Sequence, residues 1–88
     1  DPQVLLRIGD LYVRFSKPQF ALPLYQEILQ TKPRWTAIWS RVADTFASLQ
    51  RYDEAIAAAR KYGELDPSEQ GKVESFIATM ENAKRGVK

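Results

Sequence analysis

The side chains that carry most enzyme chemistry are missing from this chain. It has no histidine and no cysteine, which removes the commonest general base, the thiolate nucleophile and the soft metal ligands. The four glycines, Gly9, Gly63, Gly71 and Gly86, stand apart and form no phosphate-cradling loop. Carboxylates remain, and the strongest pair is Asp10 and Asp44, which occupy equivalent places in a 34-residue register. On neighbouring helices with axes about 8 to 10 Å apart they could flank a water or a metal ion. Nothing in their surroundings supplies the desolvation that would raise one pKa. The chain is therefore expected to bind rather than catalyse, with no cofactor and no metal.

The elements that must position these residues follow from the register itself. Shifted by 34 residues, Leu5, Ile8, Gly9, Tyr12, Ala21 and Pro33 fall on Trp39, Val42, Ala43, Phe46, Ala55 and Pro67. Large apolar, small and proline positions recurring at fixed offsets predict stacked helical hairpins rather than one closed core. With 88 residues there is room for one small domain, which buries about 60 to 65% of the surface its unfolded chain exposes. Its stability must come from regular packing, because no disulfide can supply a staple. The net charge of +2 is far below the concentrated positive face of a nucleic-acid binder. No apolar run approaches the roughly 18 residues of a membrane span, and no charged-then-apolar leader opens the chain. The first residue, Asp1, points to an excised or processed piece with neighbouring segments outside it. Nothing here fixes the compartment; the cytoplasm is the favoured default.

Helix punctuation places five helices. Asp1 and Pro2 start the first, which runs to about Phe15. Ser16 and Lys17 turn the chain, Pro18 opens the second helix, and Pro33 follows its end near Thr31. Pro23 lies inside this helix, where it should delay the start or bend the axis. The third runs from about Trp35 to Leu49, with Ile38, Trp39, Val42, Thr45, Phe46 and Leu49 on one face. After Gln50 and Arg51, an alanine-rich fourth helix ends near Leu65, weakened by Gly63. Asp66-Pro67-Ser68-Glu69 then reads as a capping box that starts a fifth helix at Pro67. Val73, Phe76, Ile77 and Met80 give that helix one narrow apolar stripe, suited to a cap over a single neighbour. Lys84 to Lys88 should fray. Leu5, Tyr12, Trp39 and Phe46 are expected to fill the space beside the hairpin crossings, where Gly9 meets Ala21 and Ala43 meets Ala55.

This pattern resembles the tetratricopeptide repeat: a large residue, an aliphatic-small pair, an aromatic, an alanine and a closing proline. Repeat one reads Leu5, Ile8, Gly9, Tyr12, Ala21, Tyr25, Pro33, and repeat two reads Trp39, Val42, Ala43, Phe46, Ala55, Ala59, Pro67. The resemblance implies an all-α, right-handed superhelix of antiparallel hairpins in a single domain over residues 1–88. Repeat one covers about 2–35, repeat two about 36–69 and a capping helix about 67–85. It also implies that the first helix of each hairpin lines a concave groove. The groove positions would be Leu6, Asp10, Val13 and Arg14, then Ser40, Asp44, Ala47 and Ser48, then Glu74, Ala78 and Glu81, with Gln3 and Ala37 beside them. Asp10, Asp44, Glu74 and Glu81 face a single Arg14 in that set, so the groove is mildly acidic. It suits a basic or neutral peptide or partner helix. Ile28 and Tyr62 stand where the family often has a second alanine, which alters how the next helix sits.

Competing readings stay open. Arg7 and Arg14 flank Asp10 on its own helix and Arg41 precedes Asp44 by three residues, so each aspartate has a local ion-pair partner worth about 0.2 to 0.5 kcal/mol. Leu6 and Val13 either contact a ligand or mark an apolar N-terminal face that meets another repeat or another copy, making the chain an assembly segment and possible homo-oligomer. Trp39 and Phe46 read as core, while Trp35 either packs on Pro33 or serves as a binding hot spot. The carboxylate clamp of heat-shock co-chaperones fails, because its asparagine positions correspond here to Asp10 and Asp44, which would repel the ligand. An RNA-binding helical repeat needs a basic face, whereas only Lys84, Arg85 and Lys88 make a basic tail. A protein or peptide partner, without nucleic acid or membrane insertion, is the expectation.

Overall fold

The computed structural model describes residues 1–86, and among them every regular element is helical. The order is α1 (Pro2–Arg14), α2 (Pro18–Thr31), α3 (Thr36–Ser48), α4 (Tyr52–Leu65), a short 3-10 turn (Pro67–Glu69) and α5 (Gln70–Lys84). Each helix packs on its neighbours in the chain. Val87 and Lys88, the end of the tail expected to fray, lie outside the described residues. Lys84 itself closes α5, and its Nζ donates to the Asp53 carboxylate at 2.7 Å.

The two hairpin turns are the same structure repeated. The Asp1 carboxylate accepts from the Gln3 amide at 2.9 Å, capping α1, with Pro2 in its first turn. At the other end Lys17 N donates to Tyr12 O at 2.8 Å and Ser16 N to Val13 O at 3.0 Å. In the second hairpin Arg51 N donates to Phe46 O at 2.9 Å and Gln50 N to Ala47 O at 3.0 Å. Both are Schellman closures, in which a left-handed residue lets two amides satisfy carbonyls the helix would otherwise leave open. Ser16 (φ 61°) and Gln50 (φ 59°) take the left-handed position usually held by glycine. In the second turn the Arg51 guanidinium also sits 4.8 Å above the Phe46 ring, shielding it.

Two local expectations are corrected. α2 does not start late: it begins at Pro18 and runs through Pro23 to Thr31. Pro23 and Gln19 are both exposed, so the Gln19 carbonyl that loses its helical donor can turn to solvent. The capping box before α5 does not form. Asp66 accepts from Ser68 Oγ and Glu69 accepts from Tyr62 OH at 3.1 Å, so both carboxylates are diverted and Pro67–Glu69 winds as a 3-10 turn.

The core is centred on α2, α3 and α4. Ala21, Tyr25, Ile28, Ile38 and Ala55 are the most completely buried apolar residues, and Phe46 is buried beside them. Val73 and Met80 close the core from α5, as the narrow stripe requires. Trp39 is only half-buried, with its indole N–H donating to Pro33 O at 2.8 Å, so it lies at the edge of the core. Trp35 is also half-buried, against the core. Ile8 and Tyr12 do not fill a crossing. Both are exposed, and Tyr12 leans on Phe20 with ring centroids 5.4 Å apart. α1 contributes only Gly9 to the fully buried set.

That glycine admits a larger partner than Ala21. A Cβ at Gly9 would lie 2.7 Å from Tyr25 Cε1, closer than packed carbons approach, so the glycine makes room for the phenol ring. One period on, the equivalent pair is Ala43 and Ala59, both buried. Volume is exchanged across the contact: glycine with tyrosine in the first hairpin, alanine with alanine in the second. Gly63 has a comparable use, since a Cβ there would stand 3.2 Å from Val73 Cγ2; its absence lets α5 pack closely on α4.

Gly9→Ala is expected to destabilise the domain by about 1 to 3 kcal/mol through overpacking. In a Tyr25→Ala background the same change should cost almost nothing. Chemical denaturation of the four-member cycle checks this, and additivity of the two changes contradicts it. Gln50→Gly should raise stability by up to about 1 kcal/mol by relieving the left-handed side chain, read as a higher denaturation midpoint with an unchanged slope.

Candidate interaction surfaces

Asp10 is held by the two helices that follow it. Tyr25 OH from α2 donates to Asp10 Oδ1 at 2.5 Å, and Arg41 Nε from α3 donates to the same oxygen at 2.9 Å. A further Arg41 nitrogen donates to Ala37 O at 3.3 Å, and Thr45 Oγ1 donates to Arg41 O at 2.7 Å. Burial, followed by the hydrogen bond to Asp10, pushes the Tyr25 hydroxyl far above its ordinary pKa, so it stays a neutral donor. One carboxylate thereby ties α1 to α2 and to α3.

This arrangement corrects the same-helix pairing expected for both aspartates. The side-chain ion pair of Asp10 is with Arg41, across helices, and not with Arg7 or Arg14. Arg41 is therefore turned away from Asp44, three residues further along its own helix, and Asp44 has no ion-pair partner among the described residues. Partial burial raises the Asp44 pKa above the ordinary carboxylate value although the residue is exposed at the surface, and no paired cation offsets the effect. The two carboxylates do not form an acid–base dyad, since Asp10 is engaged by a guanidinium and a phenol.

Asp44 stands between two depressions and lines both. One, of about 220 Å³, is formed by Asp10, Val13, Tyr25, Arg41, Asp44 and Thr45. The other, of about 250 Å³, is formed by Ser40, Ala43 and Asp44 of α3, Ala59 and Tyr62 of α4, and Lys72, Val73 and Phe76 of α5. Apolar walls around a few polar groups make them places where a side chain can be seated.

The expected site residues distribute unevenly over this surface. Asp10, Val13 and Asp44 come together in the first depression and Ser40 joins Asp44 in the second. Arg14 lies with Arg7, Asp10 and Leu11 in a separate shallow hollow. Leu6 and Ala47 are half-buried and packed against the core, and Ser48 is exposed at the end of α3. Glu74, Ala78 and Glu81 are exposed, while α5 supplies Lys72, Val73 and Phe76 to the depression. Tyr25, Arg41, Lys72 and Phe76 were not anticipated there. For Tyr25 a signal existed, because a tyrosine aligned with Ala59 opposite a glycine aligned with Ala43 already implies a swapped contact.

A second surface lies at the start of the chain. The exposed large apolar residues are Val4, Ile8, Leu11, Tyr12, Val13, Phe15 and Phe20, all on α1, its turn and the first turn of α2. Phe15 is 68% exposed. An apolar N-terminal face is present, but Leu6 is not part of it. Val4, Ile8, Leu11 and Phe15 make the stripe, spaced as one side of a helix.

No protein-family model matches the chain, and no curated protein matches it. Solved structures do. MamA of AMB-1 superposes with a TM-score of 0.86 at 29% identity, over 98% of this chain and 50% of that one. MamA of MSR-1 gives a TM-score of 0.85, also at 29% identity, over 98% of this chain and 48% of that one. The chain spans about half the length of those MamA chains. Among the described residues no helix is long and apolar enough to cross a membrane. The all-α architecture of five helices is the tetratricopeptide-like helical-repeat fold that MamA carries.

Proposed function

We propose that this chain is a protein-interaction module that seats a basic or neutral extended peptide, or a partner helix with a basic edge, across the depressions on either side of Asp44. The observation that carries the reading is the state of that aspartate: partly desolvated, without a cation and shared by two adjoining hollows. A carboxylate in that setting gains from a lysine or arginine side chain what the fold itself withholds. Val13 and Phe76 give apolar contact on the two sides, Ser40 offers a hydroxyl, and Lys72, bound to Glu69 at 3.5 Å, stands at the rim. The remaining groove positions, Leu6, Arg14, Ala47, Ser48, Glu74, Ala78 and Glu81, act at its margins or through packing. The likeness to MamA supports a non-enzymatic, helical-repeat interaction module.

A second reading, an assembly segment, is favoured by the exposed stripe of Val4, Ile8, Leu11 and Phe15. Solvent is an unfavourable neighbour for a continuous apolar face of this kind. The two surfaces are separate, so the readings are compatible.

Asp44→Asn tests the first reading in two ways. Binding of a short oligolysine peptide, followed by fluorescence anisotropy, should weaken about tenfold or more. An unchanged affinity contradicts the proposal. The free domain should behave in the opposite sense. Because the folded Asp44 pKa is raised, the native state holds its proton to higher pH than the unfolded chain does, and stability falls as pH rises through that interval. The asparagine variant should therefore be more stable than the parent at neutral pH, and the difference should vanish below the ordinary aspartate range. Thermal denaturation across pH reads this directly.

A further inference from the structure

The apolar stripe on α1 has a charged border, and the outer face of α5 carries its counterpart. At about 100° per residue, Leu11, Val4, Phe15 and Ile8 fall within a narrow sector of α1, opposite buried Gly9. Arg7 and Arg14 lie along one edge of that sector. Both arginines are exposed and neither has an ion-pair partner among the described residues. On α5, opposite buried Val73 and Met80, the outward sector holds Gly71, Ser75, Ala78 and Asn82, all exposed. Open space surrounds the Cβ position of Gly71. Glu74 and Glu81 run along one edge of this sector, also exposed and also without an ion-pair partner among the described residues. Each charged pair is seven residues apart, about 10.5 Å along its helix.

We infer that a second copy of this chain docks head-to-tail, laying the Val4–Phe15 stripe of α1 antiparallel onto the outer face of α5, with Arg7 opposite Glu81 and Arg14 opposite Glu74. The direction follows from handedness. Viewed from the N-terminus, the arginines lie on the same side of their stripe as the glutamates do of theirs. Two such faces bring same-side edges together only when the helices run antiparallel, as in antiparallel coiled coils. In that register Leu11 is level with Ser75 and Ala78, and Phe15 with Gly71 and Ser75. Large side chains thus meet small ones, the condition for close helix approach. The contact is heterologous, with head and tail different surfaces, so it propagates into open chains rather than closing a dimer. This inference rests on the assembly reading; it shares Arg14, Glu74, Ala78 and Glu81 with the groove margin but uses neither Asp44 nor the two hollows beside it.

Sedimentation velocity over a concentration series tests it on the whole chain. The parent should show mass rising with concentration, and the association should weaken at high salt. Arg7→Glu/Arg14→Glu and Glu74→Arg/Glu81→Arg should each weaken self-association about tenfold or more, because two attractions become repulsions. Mixed together, the two variants should assemble again, since each head then faces an opposite tail. Leu11→Ser/Phe15→Ser should abolish association while leaving helix content unchanged by circular dichroism, as both positions are exposed. A parent that stays monomeric at millimolar concentration overturns the inference. So does a mixture that fails to reassemble, or an α1 face that binds phosphatidylserine vesicles without self-associating. Oligolysine binding by the Leu11→Ser/Phe15→Ser variant, which leaves every groove position unchanged, separates this outcome from a failure of the groove.

Discussion

A single carboxylate oxygen, Oδ1 of Asp10, takes donors from Tyr25 at 2.5 Å and from Arg41 at 2.9 Å, and the relation between the two hairpins depends on it. Tyr25 can reach because Gly9 leaves space for its ring. Arg41 can reach because α3 packs on α2 beside it. The core that joins α2, α3 and α4 takes little from α1, so a polar contact spanning α1, α2 and α3 adds a tie where apolar packing is thinnest. Asp10 is only partly buried, which moderates the desolvation cost of the charged pair.

The same contact shapes the proposed binding surface by what it removes. An arginine three residues before an aspartate on one helix is ordinarily available to it. Here the guanidinium is turned to Asp10, and Asp44, exposed at the rim of two hollows and without an ion-pair partner among the described residues, keeps a carboxylate whose pKa partial burial raises. Destabilised charge of this kind is a common mark of a surface kept for a ligand, because the fold would be steadier without it. The ends of the array differ in character as well. α1 presents aliphatic and aromatic side chains to solvent, whereas the outer face of α5 is small and polar. A polar face tolerates solvent when nothing covers it, whereas a continuous apolar stripe does not.

Much of the fold was legible because it repeats. The 34-residue shift aligned Ser16 with Gln50, and the structure gives both a left-handed backbone in the same Schellman closure. Helix starts at Pro2 and Pro18 followed from proline punctuation. The site was less legible, for a physical reason. Local rules rank partners by spacing along one helix, and Arg41 instead chose Asp10, thirty-one residues away, where Tyr25 had already oriented the carboxylate. The capping box at Asp66 failed in the same way, its Glu69 drawn off by Tyr62. Ile8 and Tyr12 have the types and spacing of core residues, but α1 has helices on one side only. Periodicity reports that a face is apolar, not that anything covers it.

The account stands most directly on the ionisation of Asp44, which carboxyl-carbon NMR titration of the free domain measures residue by residue. A pKa above the ordinary aspartate range is predicted, falling when oligolysine is added, as a cation completes the site. An ordinary or lowered value in the free domain would contradict the partly buried, cation-free carboxylate on which the proposed binding surface rests.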